Sequence, residues 1–238
     1  DQAQNLFSLG YLSLEQRVLA ENLYWAVNRH INVLTSEMEF VPDDLQGLDA
    51  ILADTYFCNL SVFQSLPDSW AIKQVFPIIP IHRLDERPFK HGVLGDISCD
   101  SDGKIDRFIG QREEARTLNL HPWDGKPYYL GAFLVGAYQE ILGDLHNLFG
   151  DTHAVHVRFS ERGEVILDQV VEGDTVEEVL HYVQFSAKDL LAVFGRDVET
   201  AIQEGRIDSN EAEQLLRFYE EGLQGYTYLE DVPDPKKP

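Results

Sequence analysis

Apolar residues recur at helical spacing through the first 45 positions. Leu19, Leu23, Ala26, Val27, Ile31 and Leu34 fall on one stripe, the repeat of an amphipathic helix. Ser13-Leu-Glu-Gln16 ahead of them reads as a capping box, in which serine and glutamine satisfy each other's backbone amides. Pro42 stops this helix. A short second helix is expected from Asp44 to near Asp54.

From 55 to 171 the pattern shortens to strand length. Tyr56–Phe63 is aromatic and β-branched, and Val75–Ile81 carries Pro77 and Pro80, which restrict it to a sheet edge. Gly92–Ser98 and Ile105–Ile109 flank a polar turn, Cys99-Asp-Ser-Asp-Gly103, as the arms of a hairpin would. Arg116–Leu120 and Tyr128–Val135 read as further strands, and Ala154–Phe159 with Glu164–Val171 as a last hairpin about Glu161-Arg-Gly163. One helix interrupts them, Tyr138–Phe149, with Ile141, Leu142, Leu145 and Leu148 apolar and Gly150 as its stop. Helical spacing returns over 172–225, with boxes at Thr175–Glu178 and Asp208–Glu211, a helix start at Ser186 and an end at Gly225. The Pro-rich tail is expected to fray beyond Glu230. The fold class is therefore α+β: an antiparallel β-sandwich or barrel between a helical N-terminal segment and a helical C-terminal extension.

Composition narrows what such a fold can do. The 238 residues carry a formal net charge of -22, which argues against nucleic acid as a partner. Two cysteines, Cys58 and Cys99, are too few for a disulfide framework and do not form a CxxC pair, so a reducing, cytoplasmic setting is expected. No apolar run is long enough to span a bilayer. The chain opens on Asp1 within what reads as the approach to a helix, and is expected to be part of a longer protein.

Two stretches stand out chemically. The first is the turn with one thiol, Cys99, and two carboxylates, Asp100 and Asp102, at the mouth of a strand. It partly matches a calcium loop, but Ser98 and Ile109 stand where the terminal ligands belong, and strands flank it. A polar hairpin turn is the plainer reading. Cys99 is either a small packing residue or a proton donor, since acidic neighbours disfavour a thiolate nucleophile. The second is Tyr138, at a strand-to-helix junction where a hydroxyl and backbone amides can meet a phosphate; packing on the core is the alternative. None of the eight histidines, His146 and His153 included, shows ligand spacing.

YFCNLSVFQSLPDSWAIKQVFPIIPIHRL, GVLGDISCDSDGKID, YYLGAFLVGAYQEILGDLHNLFGD and the late GYTYLED, in that order, resemble the C-terminal part of the biosynthetic arginine decarboxylases, relatives of the ornithine and diaminopimelate decarboxylases with an alanine racemase-like fold. The resemblance implies three regions: 1–48, the end of a helical-bundle insertion; 49–171, the C-terminal β-domain; and 172–238, a C-terminal helical extension. It implies pyridoxal 5'-phosphate held on a lysine of an upstream barrel; Lys73, Lys90, Lys104, Lys126 and Lys188 have no context for that role. It also implies magnesium, with no ligands recognised here, and a homodimer or higher homo-oligomer.

On this resemblance Cys99 protonates the substrate's α-carbon, Asp100 meets the distal guanidinium of L-arginine across the dimer interface, Asp102 is a second candidate for that contact, and Tyr138 binds the cofactor phosphate. The product is agmatine, on the route to spermidine and other polyamines. The alternatives are a non-catalytic regulatory homologue and a decarboxylase for ornithine, lysine or diaminopimelate. An intact upstream cofactor lysine separates the first of these from an enzyme.

Overall fold

The computed structural model describes residues 1–36, 38–45, 47–110 and 113–230. The tail expected to fray beyond Glu230 lies outside them. The chain forms two compact units, one of residues 1–56, 75–94 and 105–133, the other of 57–74, 95–104 and 134–238.

The first unit opens with α1 (Gln2–Ser8) and α2 (Leu14–Ser36). The expected box is present: the Ser13 amide donates to Gln16 Oε1 at 2.9 Å and the Gln16 amide to Ser13 Oγ at 3.3 Å. The apolar stripe of α2 is not a core, however, because Leu19, Leu23, Val27 and Leu34 are exposed. In place of one helix from Asp44 to Asp54, a short 3-10 turn (Asp43–Leu45) precedes α3 (Leu48–Ile51), and left-handed Gly47 (φ 77°) separates them.

Next come the strands β1 (Asp54–Phe57), β2 (Ile78–Pro80), β3 (Lys90–Gly95), β4 (Lys104–Ile105), β5 (Phe108–Ile109), β6 (Glu114–Ala115), β7 (Leu118–Leu120) and β8 (Leu130–Ala132), with the last residues of β1 and β3 and the first of β4 belonging to the second unit. Strand order is β1-β3-β4 with β7 also on β3, Lys90 opposite Leu120 and Gly92 opposite Leu118. The β2–β8 and β5–β6 pairs are separate antiparallel ribbons. Leu48, Phe76, Ile78, Leu94, Ile105, Phe108 and Leu120 form the buried apolar set.

The second unit contains α4 (Val62–Ser65), α5 (Pro67–Ala71), α6 (Tyr138–Ile141), the hairpin β9 (Ala154–Phe159) and β10 (Val165–Val171), and the helices α7 (Val176–Tyr182), α8 (Ala187–Gln203) and α9 (Ser209–Gln224). Ser186 caps α8, and Thr175 and Asp208 close reciprocal boxes with Glu178 and Glu211. Val179, Val198, Ala201, Ala212 and Leu223 are buried on the facing sides of these helices.

The α+β class with helical ends stands, but no closed barrel forms among the described residues. Among the described residues the sheets are one of four strands and three two-stranded ribbons, none of them closed. Two elements account for the difference. Tyr56–Phe63 is strand only to Phe57, because Ser61 caps α4. The helix expected over Tyr138–Phe149 ends at Ile141, and a 3-10 turn follows at His146–Leu148. Gly143 explains the break: a Cβ there would lie 2.5 Å from the Gln64 carbonyl oxygen, so the backbone runs against α4 instead of continuing its own spiral.

Candidate active site

The turn after β3 is organised by Asp96, a residue whose role the sequence did not reveal. Asp96 is only 3% exposed. Its Oδ2 accepts from the Val62 amide at 2.9 Å; its Oδ1 accepts from the Ser98 amide at 2.8 Å and the Ser98 hydroxyl at 2.6 Å. A carboxylate at the first amide of α4 satisfies a donor that the helix cannot use internally. The Asp96 amide donates to the Gly103 carbonyl and the Ile97 amide to the Leu60 carbonyl. Gly103 must be glycine here, since a Cβ would stand 2.2 Å from Asp96 Oδ1. The nearby Cys58 thiol is pushed up to about 11, by burial first and by Asp96 second, and is therefore protonated at neutral pH.

Beyond this anchor the turn points outward. Cys99, Asp100 and Asp102 are exposed. Asp100 Oδ1 accepts from the Asp102 amide at 2.8 Å, and the Gly103 amide donates to the Asp100 carbonyl. These local bonds hold both carboxylates on one short arc.

A second segment meets the arc. Past Gly143, the Asp144 amide donates to the Phe63 carbonyl at 3.1 Å, and the His146 ring lies 4.4 Å from that of Phe63. His146 Nε2 stands 3.7 Å from Asp100 Oδ2. Asn147 adopts the left-handed conformation (φ 57°, ψ 21°) that asparagine tolerates. Its Oδ1 accepts from the Cys99 amide at 3.1 Å, and its Nδ2 donates to Cys99 Sγ at 3.4 Å.

The late Gly225–Leu229 segment braces both sides of this arrangement. The Tyr228 hydroxyl donates to the Gly150 carbonyl, the Gly150 amide donates to Thr227 Oγ1, and Asn59 and Leu229 exchange two hydrogen bonds. Burial pushes the Tyr228 phenol well above its ordinary range, so it remains a neutral donor.

The structure thus brings Cys99, Asp100 and Asp102 together and adds His146 and Asn147. Tyr138 is the first residue of α6 and 73% exposed, with no side-chain hydrogen bond to the turn among the described residues. Sequence reasoning passed over His146 and Asn147 because a continuous helix over 138–149 leaves no reason for them to turn toward Cys99. The signal available was Gly143 and Asn147 within one supposed helix, both poor interior residues. Among the described residues no three His, Cys, Asp or Glu side chains cluster as metal ligands. None of their helices is long and apolar enough to cross a membrane.

Comparison with known proteins gives a consistent result. Residues 1–49 match the family model described as the arginine decarboxylase helical bundle domain, and 176–229 the arginine decarboxylase C-terminal helical extension. The chain is 57% identical over 230 residues to a biosynthetic arginine decarboxylase of Rhodopirellula baltica, covering 96% of this chain and 34% of that protein. It is 54% identical to the Thermosynechococcus vestitus protein of the same name, covering 96% and 36%. The crystal structure of the Campylobacter jejuni biosynthetic arginine decarboxylase superposes with a TM-score of 0.76 at 28% identity, covering 97% of this chain and 36% of that one. The chain thus spans about a third of the length of the curated relatives it matches.

Proposed function

We propose, from the premise that this chain belongs to the biosynthetic arginine decarboxylases and corresponds to their C-terminal part, that it supplies substrate-recognition and protonation groups for converting L-arginine to agmatine and carbon dioxide. The observation that carries this reading is identity above 50% along nearly the whole chain to proteins bearing that name. On this reading the protein is a cytoplasmic carboxy-lyase of polyamine synthesis, assembled as a homodimer or larger, with its barrel and cofactor lysine in the portion preceding this chain. The chain by itself is expected to be inactive.

The donor set suits pyridoxal phosphate as a cofactor held mainly by other residues. Tyr138 presents an exposed hydroxyl without a partner among the described residues, available to a phosphate oxygen. When bound, the cofactor's pyridine ring accepts the electron pair released as carbon dioxide leaves.

The chain's own residues do the rest. Asp100, with Oδ1 occupied by the Asp102 amide, offers Oδ2 to the planar guanidinium, a pairing of matched geometry and charge. Asp102 adds a second negative group on the same arc. That contact fixes the far end of arginine, so the α-carbon falls at a set distance from the turn. Cys99 delivers its proton there, selecting the amine product, and its exposure allows reprotonation from water.

The test is Cys99→Ala in the full-length protein. Turnover should fall by about 10²–10⁴-fold, and agmatine formed per carbon dioxide released should drop below one as protons reach the wrong atom. Unchanged turnover and an unchanged ratio would make Cys99 a packing residue.

A further inference from the structure

We propose that Asn147 is a positioning residue that aims the Cys99 thiol and steadies the charge left on its sulfur when the proton departs. One carboxamide grips both ends of the cysteine, with Oδ1 accepting from its backbone amide at 3.1 Å and Nδ2 donating to Sγ at 3.4 Å. The orientation is set by chemistry: the backbone amide is a donor only, so it must face Oδ1, which leaves Nδ2 for the sulfur. A sulfur that accepts from Nδ2 turns its own hydrogen away from Asn147. Cys99 is itself exposed, and Asp100 follows it in the chain.

The step balances. The S–H bond breaks and its electron pair stays on sulfur; the proton bonds to the substrate carbon through the pair left by carbon dioxide; water later returns a proton to sulfur. The Nδ2 donor strengthens as the sulfur becomes negative, which favours the charged form. The backbone supports the assignment: the left-handed turn at Asn147 (φ 57°) and at Leu148 (φ 60°) is what swings this side chain out of the line of α6 and onto Cys99. His146, held against Phe63, sits by Asp100 from the same turn.

This inference rests on the proposed reading of Cys99 only for its catalytic consequence, and the experiment separates the two. In the full-length protein, Asn147→Asp keeps the acceptor for the Cys99 amide but places a carboxylate oxygen against sulfur. Iodoacetamide alkylation of Cys99, followed peptide by peptide at fixed pH, should slow by about tenfold, since a like charge opposes the thiolate. Asn147→Gly, which fits the left-handed backbone and loses the donor, should also slow it, by less, and serves if the aspartate variant does not fold. With arginine, kcat should fall about tenfold, KM should stay within about twofold, and agmatine per carbon dioxide should drop below one. Alkylation as fast as wild type in a folded variant overturns the inference. Slowed alkylation with the product ratio still at one leaves Asn147 as the residue that governs the thiol and overturns the reading of Cys99 as the proton donor.

Discussion

At the scale of single residues, the candidate site depends on one buried acid. Asp96 accepts three hydrogen bonds, joins β3 to α4 and leaves Gly103 no room for a side chain. Gly103→Ala should therefore destabilise the folded protein by about 2–3 kcal/mol, because Asp96 must give up buried hydrogen bonds to admit a methyl group. Chemical denaturation would measure this, and a loss below about 0.5 kcal/mol, the range of ordinary surface changes, would mean that the carboxylate yields freely. The turn of Cys99, Asp100 and Asp102 stood out in the sequence because thiol and acids at the mouth of a strand have little packing use, and the three residues are exposed in the structure. Asp96 was not, because one carboxylate among four aspartates in 96–106 carries no mark of burial until Val62 and Ser98 are placed around it.

At the scale of elements, short-range signals predicted well and long-range ones did not. The boxes at Ser13, Thr175 and Asp208 form as expected, since capping depends on residues three apart. Thr175→Ala should lower stability by about 1 kcal/mol through loss of the α7 cap, readable as a fall in Tm. The Thr175 amide and then its hydroxyl hold Glu178 below its ordinary 4.5. A lowered carboxylate contributes stability that is present above its unfolded value and lost as pH falls through the folded one. The advantage of wild type over Glu178→Gln should therefore be full at pH 7 and shrink on acidification below 4.5. An advantage that stays constant to low pH in thermal melts would contradict the box as an ionic cap. The segment 138–149 failed as one helix because its fate lies elsewhere, in the Gln64 and Phe63 backbone against which Gly143 and Asp144 press.

At the scale of the whole molecule, the question is which active site the turn serves. In the proposed dimer Asp100 acts in trans, and mixing tests this. One full-length variant carries Asp100→Ala; the other lacks the upstream cofactor lysine. Each alone should be nearly inactive. A two-fold dimer has two equivalent sites, so a hybrid collects both defects in one site and leaves the other intact. Random remixing makes about half the dimers hybrids, and activity should recover to roughly a quarter of wild type. No recovery, with hybrids verified by differently tagged chains, would place Asp100 in its own chain's site.

The sequence by itself determined the α+β class, the helical ends with their caps, the β9–β10 hairpin and the family, because each depends on local spacing or on long motifs in order. Tertiary structure alone decided that the strands form small open sheets, that the stripe on α2 stays exposed, and that His146 and Asn147 face Cys99 and Asp100. Sheet closure depends on which strands pair across many residues, and the reach of Asn147 depends on a left-handed turn set by packing on α4. Neither quantity is written in the periodicity of any one stretch of chain.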